Sequence, residues 1–297
     1  MKESYLATKT RSGMEAGRID IAQLRDDWIP MPEQNEGYTR VLLVGTTGAG
    51  KTTLLRHMIG SSHEHDRFPS TSTAKTTISD TEIVMADGPF RAAVTFMSEL
   101  EVRAHIDECI EAACLEAIKG KPDAKIAAAL LTHREQRFRL SYLIGEWGID
   151  EPADDDDFSF DSATPTASGN PDDEDSVTDD AWQANSKRIE SYVSRVRDLA
   201  TEIDTQNATD LGLLSAQHTS DDKAAWLELY IDSLFGSEEF TKLALDIQDE
   251  IESRFDLLDA GTLERSATGW PVIWTFENAD REAFLRQVRW FSSNHFR

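Results

Sequence analysis

The sequence predicts an α/β fold with a large, mostly helical insertion and one disordered acidic stretch. Three observations predict it. The apolar run Val41-Leu42-Leu43-Val44 is followed at once by a glycine-rich loop and then by an apolar-rich helix. Strand-like patterns recur at residues 81–96 and 262–276, while most of the chain between them places apolar residues three and four apart. Residues 147–180 carry thirteen acidic residues and no basic one.

The chain has 297 residues, enough for one large domain or two ordinary ones, and a hydrophobic content of 39% that can fill a core. The net charge of −25 argues against general affinity for nucleic acid or anionic membranes. No stretch approaches the ~18 consecutive apolar residues of a membrane span. The start, Met1-Lys2-Glu3-Ser4, lacks the apolar centre of a secretion signal. Cys109 and Cys114 lie five apart in a helical pattern, on poorly matched faces, and are expected to be small core residues rather than a disulfide. A cytoplasmic location is the expectation.

Residues 1–38 form an N-terminal extension with weak patterning. Residues 39–146 begin with the strand, loop and helix, which Gly60 and Ser61-Ser62 stop. A polar loop, 61–79, follows. Thr81–Met85 and Phe90–Phe96 then read as a β-hairpin turned by Asp87-Gly88. Ser98 and Glu101 form a capping box for a helix with Val102, Ile106, Ile110, Ala113 and Ala117 on one face. Gly120-Lys121-Pro122 ends it and opens another helix, bearing Ile126 and Leu130. Arg134, Arg137 and Arg139 form a basic cluster, read as a solvated helix face.

Residues 147–180 include Asp154–Asp157 and Asp172-Asp173-Glu174-Asp175, broken by Pro152, Pro165, Gly169 and Pro171. Such a segment cannot bury enough apolar surface to offset its ordering entropy, so it reads as a disordered linker. Residues 181–259 return to helical periodicity as a subdomain. One helix carries Ile189, Tyr192, Val193, Val196 and Leu199, and the next Tyr230 and Leu234, closed by Gly236. A third is capped by Ser237 and striped by Phe240, Leu243, Ala244, Ile247, Ile251 and Phe255. Residues 260–297 read as a second hairpin whose strand Val272–Phe276 is apolar enough to be central. A last helix follows, capped by Asp280, with Phe284 and Val288 on its apolar side.

The chemistry concentrates in Gly45-Thr46-Thr47-Gly48-Ala49-Gly50-Lys51-Thr52-Thr53. Glycines let the backbone turn its N–H groups inward around phosphate oxygens. The helix N-terminus adds partial positive charge to the same anion. Strand, loop and helix in this order, with Gly45-x-x-x-x-Gly50-Lys51-Thr52 complete, resemble the Walker A loop of P-loop NTPases. The resemblance implies a P-loop core that binds ATP or GTP with Mg²⁺. Residues 45–53 would cradle the phosphates, Lys51 would reach the β- and γ-phosphates, and Thr52 would ligate Mg²⁺.

The order of loop, threonine-rich segment, hairpin and helical insertion is similar to the GTPase-like, dynamin-like branch. That likeness implies that Thr76 meets Mg²⁺ and the γ-phosphate, with Thr73 as second choice and Thr71 and Thr77 also present. It further implies hydrolysis coupled to conformational change, and a protein partner or self-association. The Asp-x-x-Gly expected after the hairpin is replaced by Phe96-Met97-Ser98-Glu99, and no Asn-Lys-x-Asp occurs. An AAA-like or ABC-like ATPase fits the loop equally, and a helical scaffold that binds nucleotide without turnover is the third reading. Asp87 and Glu277 are the two candidates for a second acidic group. His63 and His65 suit a metal poorly, because no further histidine or cysteine completes a set. A P-loop core uses about five parallel strands. The chain offers fewer, so the core is expected to be incomplete here, with this chain the N-terminal part of a larger protein.

Overall fold

The computed structural model describes residues 20–30, 37–46, 49–61, 81–132, 140–144, 179–211, 220–288 and 291. The chain is mixed α/β, mostly helical, with one small sheet. It divides into two units. One takes the described residues up to Glu99 and those from Phe255; the other takes Leu100–Arg254.

The first unit is built on three antiparallel strands in the order β1-β3-β2: β1 Phe90–Thr95, β2 Thr262–Arg265 and β3 Pro271–Asn278. β3 is central, and Val272, Ile273 and Trp274 are buried. Residues on both of its faces are apolar because both faces are covered. Val94 stands opposite Trp274 and Ala92 opposite Phe276, so these four share one face. Helix α9, Arg281–Val288, lays Phe284 and Val288 on that face. Asp280 caps it, its Oδ1 accepting from Ala283 N at 2.8 Å. The other face carries Arg91 and meets helix α1, Ile21–Trp28, where the Arg91 guanidinium lies 5.8 Å from the centre of the Trp28 ring.

Two expected strands take another form. Residues 41–46 pair with no strand among the described residues, and Val41, Leu42 and Val44 are 61%, 85% and 81% exposed. A run of apolar residues becomes a buried strand only where a sheet lies beside it, and the described sheet forms elsewhere. Thr81–Met85 is likewise not a strand, and Met85 is exposed. The partner of Phe90–Thr95 is β3. That pairing places Val94 and Ala92 on the aromatic face of Trp274 and Phe276, packed against the cluster of Trp274, Phe284 and Val288.

The second unit is helical: α3 Glu99–Ile118, α4 Asp123–Leu131, α5 Ser141–Ile144, α6 Asp179–Leu211, α7 Ser220–Phe235 and α8 Glu238–Arg254. α6 packs on α4, α7 and α8, and α8 also meets α5 and α7. The periodic stripes form the core: Ile106, Ile110, Ile126, Leu130, Ile189, Val196, Leu234 and Ile247 are fully buried. Cys109 and Cys114 are free and fully buried, as their apolar surroundings in the sequence suggested. Gly120 stops α3 in the left-handed region, φ +71°, and Lys121 N bonds back to Glu116 O. Among the described residues no helix is long and apolar enough to cross a membrane.

Candidate functional site

The glycine-rich loop leads into helix α2, Lys51–Met58. Its turn is made by Ala49 N donating to Thr46 O at 3.2 Å. Gly50 is the N-cap residue, at φ +82°, a conformation that a Cβ would strain. The first helical bond runs from Leu54 N to Gly50 O at 2.9 Å. Gly50, having no side chain, makes no capping hydrogen bond of its own. The first N–H groups of a helix have no intrahelical acceptor, so this end is an anion-binding geometry in principle.

Lys51 folds back over the loop. Its Nζ donates to Gly45 O at 2.7 Å and to Thr46 O at 2.8 Å. The ammonium is thus held by two neutral carbonyls of the same loop, within a solvent-accessible site. Thr52 and Thr53 follow in the first turn of α2. Thr47 and Gly48 lie outside the described residues, as do Thr71, Thr73, Thr76 and Thr77, the His63/His65 pair, and the Arg134, Arg137 and Arg139 cluster. The acidic stretch lies outside them too, except that Asp179 and Asp180 open α6.

α2 has an unusual distribution of side chains. Its buried residue is Arg56, 5% exposed, while Leu54 and Met58 are each 51% exposed. Its C-terminal end closes at Gly60, φ +68°, with Ser61 N bonded to Arg56 O. Arg281 Nη2 donates to Gly60 O at 3.5 Å, which ties the start of α9 to the end of α2. Nothing in the sequence marked that contact.

The two candidate acids have other roles in the structure. Asp87 stands in the bend before β1, next to Gly88 at φ +115°. Glu277, on β3, pairs with Arg91 on β1 at 2.5 Å. Pairing across the strands fixes this contact, because Arg91 and Glu277 are register partners. Among the described residues, no group of three or more His, Cys, Asp and Glu side chains could hold a metal ion.

No protein-family model, curated protein or solved structure matches this chain.

Proposed function

We propose that this chain is a nucleotide-binding P-loop protein that hydrolyses ATP or GTP in the presence of Mg²⁺. The observation that carries this reading is the complete Gly45-x-x-x-x-Gly50-Lys51-Thr52 spacing at the N-terminus of α2, with Gly50 left-handed and Lys51 Nζ folded onto the loop carbonyls. Donor chemistry fits a phosphate chain: the loop supplies a helix N-terminus and one ammonium, and the ammonium's two carbonyl bonds are neutral and exchangeable. The described sheet is antiparallel and Val41–Val44 stands apart from it, so the P-loop core itself rests on the sequence motif alone.

In this reading the N–H groups of Gly45–Thr53 bind phosphate oxygens and Lys51 orients the β- and γ-phosphates. Thr52 and Thr76 supply hydroxyls to Mg²⁺, and Thr76 reports the presence of the γ-phosphate. Mg²⁺, when bound, neutralises charge that develops on the phosphates. The chain's own contribution is positioning and charge stabilisation of an attack by water. The helical unit turns nucleotide state into movement or into contact with a protein partner or second copy. Two free, buried thiols suit the reducing cytoplasm. A GTPase-like protein and an AAA-like or ABC-like ATPase use the same loop, so the base is fixed by titration with both nucleotides.

One observation favours a second reading, a nucleotide-binding scaffold without turnover: Glu277, the more strand-like of the two acids, is engaged by Arg91. Titration of labelled ATP and GTP analogues, with and without Mg²⁺, tests the main proposal and fixes the base. Mg²⁺-dependent binding that is lost in Lys51→Ala supports it. Folded protein that binds neither nucleotide refutes both readings. Binding without phosphate release would leave only the scaffold.

A further inference from the structure

The interior of the helical unit contains polar atoms that its packing leaves unbonded. Tyr230, on α7, is fully buried, and its hydroxyl has no hydrogen-bond partner among the described residues. Asn207, on α6, is 3% exposed. Its Oδ1 accepts from Ser233 Oγ at 3.0 Å, yet its Nδ2 has no partner among the described residues. Ser233 follows Tyr230 by three residues, so both lie on one side of α7. Burial pushes the Tyr230 phenol up in pKa.

Buried polar groups in folded proteins are almost always bonded, because an unbonded one carries its whole desolvation cost. The chemistry of this group selects the ligand. A phenol donates or accepts, and a carboxamide N–H only donates. A cation would be repelled by the Nδ2 donor, and an ion of either sign costs far more to bury than a neutral molecule. A small neutral molecule that both donates and accepts satisfies both atoms, and an internal water typically makes two to four such bonds. We propose that Tyr230 Oη and Asn207 Nδ2 hold an ordered internal water on the seam between α6 and α7. The water fixes how the two helices meet. This site lies wholly in the helical unit and is independent of nucleotide binding.

Magnetic relaxation dispersion of the water oxygen counts long-lived internal waters in solution. Wild type, Tyr230→Phe and Asn207→Leu are compared, and each substitution is expected to remove one long-lived water. Tyr230→Phe is also expected to lower the melting midpoint by a few degrees, since it deletes a satisfied hydroxyl. An unchanged dispersion amplitude in Tyr230→Phe, or a raised midpoint, would overturn the proposal, because the hydroxyl would then be an orphan whose removal is relief. If Asn207→Leu fails to fold, the wild type alone still decides. The Tyr230 hydroxyl proton must then show cross-relaxation with a slowly exchanging water, and its absence sinks the site.

Discussion

Trp274 Nε1 stands 2.5 Å from where a side chain on Gly261 would begin. The indole occupies that position because it donates to Ala260 O at 2.8 Å. Thr275 O lies 2.7 Å from the same point, and Gly261 itself is at φ +86°. Backbone strain and contact therefore act together. Gly261→Ala is expected to cost roughly 2–4 kcal/mol. Gly120 provides the control: it is left-handed too, at φ +71°, but nothing lies within 4 Å of its missing Cβ. Gly120→Ala is expected to cost only about 1 kcal/mol. Urea unfolding of both variants checks this, and equal losses would mean that the indole moves aside freely.

Among the described residues Lys51 Nζ bonds to two loop carbonyls in a solvent-accessible site, so its removal touches no described core contact. Lys51→Ala is expected to change folding stability by less than about 1 kcal/mol. On the nucleotide reading, it weakens nucleotide affinity about 30- to 100-fold, the equivalent of about 2–3 kcal/mol for a charge-assisted bond. Parallel thermal melts and fluorescence titrations separate the two effects. A large loss of stability with affinity unchanged would make Lys51 a structural clasp of the loop instead.

What was legible in the sequence was local. Asp280 announced α9 because an N-cap is written in adjacent residues, and the Ser237 Oγ contact with Phe240 N is of the same kind. The β2–β3 hairpin was visible through its turn residues, and Val272–Phe276 read as central because a strand covered on both faces needs no alternation. The pairing of β1 was not legible. Phe90 meets Asn278 across most of the chain, and no short-range pattern encodes that register. The Val41–Val44 run shows the same limit from the other side. Apolar composition says that a segment prefers burial, and it does not say whether a sheet stands beside it. The candidate site follows this division. The Gly50 turn and the start of α2 were readable, whereas the engagement of Glu277 by Arg91 depends on the long-range register.

Cys109 and Cys114 should be silent thiols in the native state. Burial, followed by the nearby charges of Glu108 and Glu111 respectively, pushes both up to about 12. A disulfide-exchange reagent at neutral pH is expected to label neither cysteine until denaturant is added. The same shift fixes a pH dependence. Between about 9 and 12 the unfolded chain loses the thiol proton while the folded chain keeps it, so stability falls as pH rises. The slope is about 1.4 kcal/mol per pH unit for each thiol. Replacing both by Ala should flatten the alkaline limb of a stability–pH curve, after allowing for the cavity left behind. Rapid native-state labelling would contradict the burial.

The Arg188–Glu250–Arg254 cluster makes the opposite prediction at acid pH. Glu250, on α8, bonds Arg188 on α6 and accepts from Arg254 Nε at 3.2 Å. Burial raises its carboxyl, but the hydrogen bond and charge of Arg188, and then those of Arg254, outweigh burial and hold it below the usual range. A depressed carboxyl contributes stability above its unfolded value near 4.5 and loses it as pH falls through the folded value. Glu250→Gln keeps the shape and removes the charge, leaving two partly buried guanidiniums without their shared counterion. The expected cost is roughly 2–3 kcal/mol at neutral pH. The difference from wild type should shrink as pH falls below about 4.5 and then through the lower folded value, where wild-type Glu250 itself takes up a proton. Chemical denaturation at neutral and acid pH reads both quantities. A loss that persists undiminished in acid would mean that Glu250 acts through packing rather than charge.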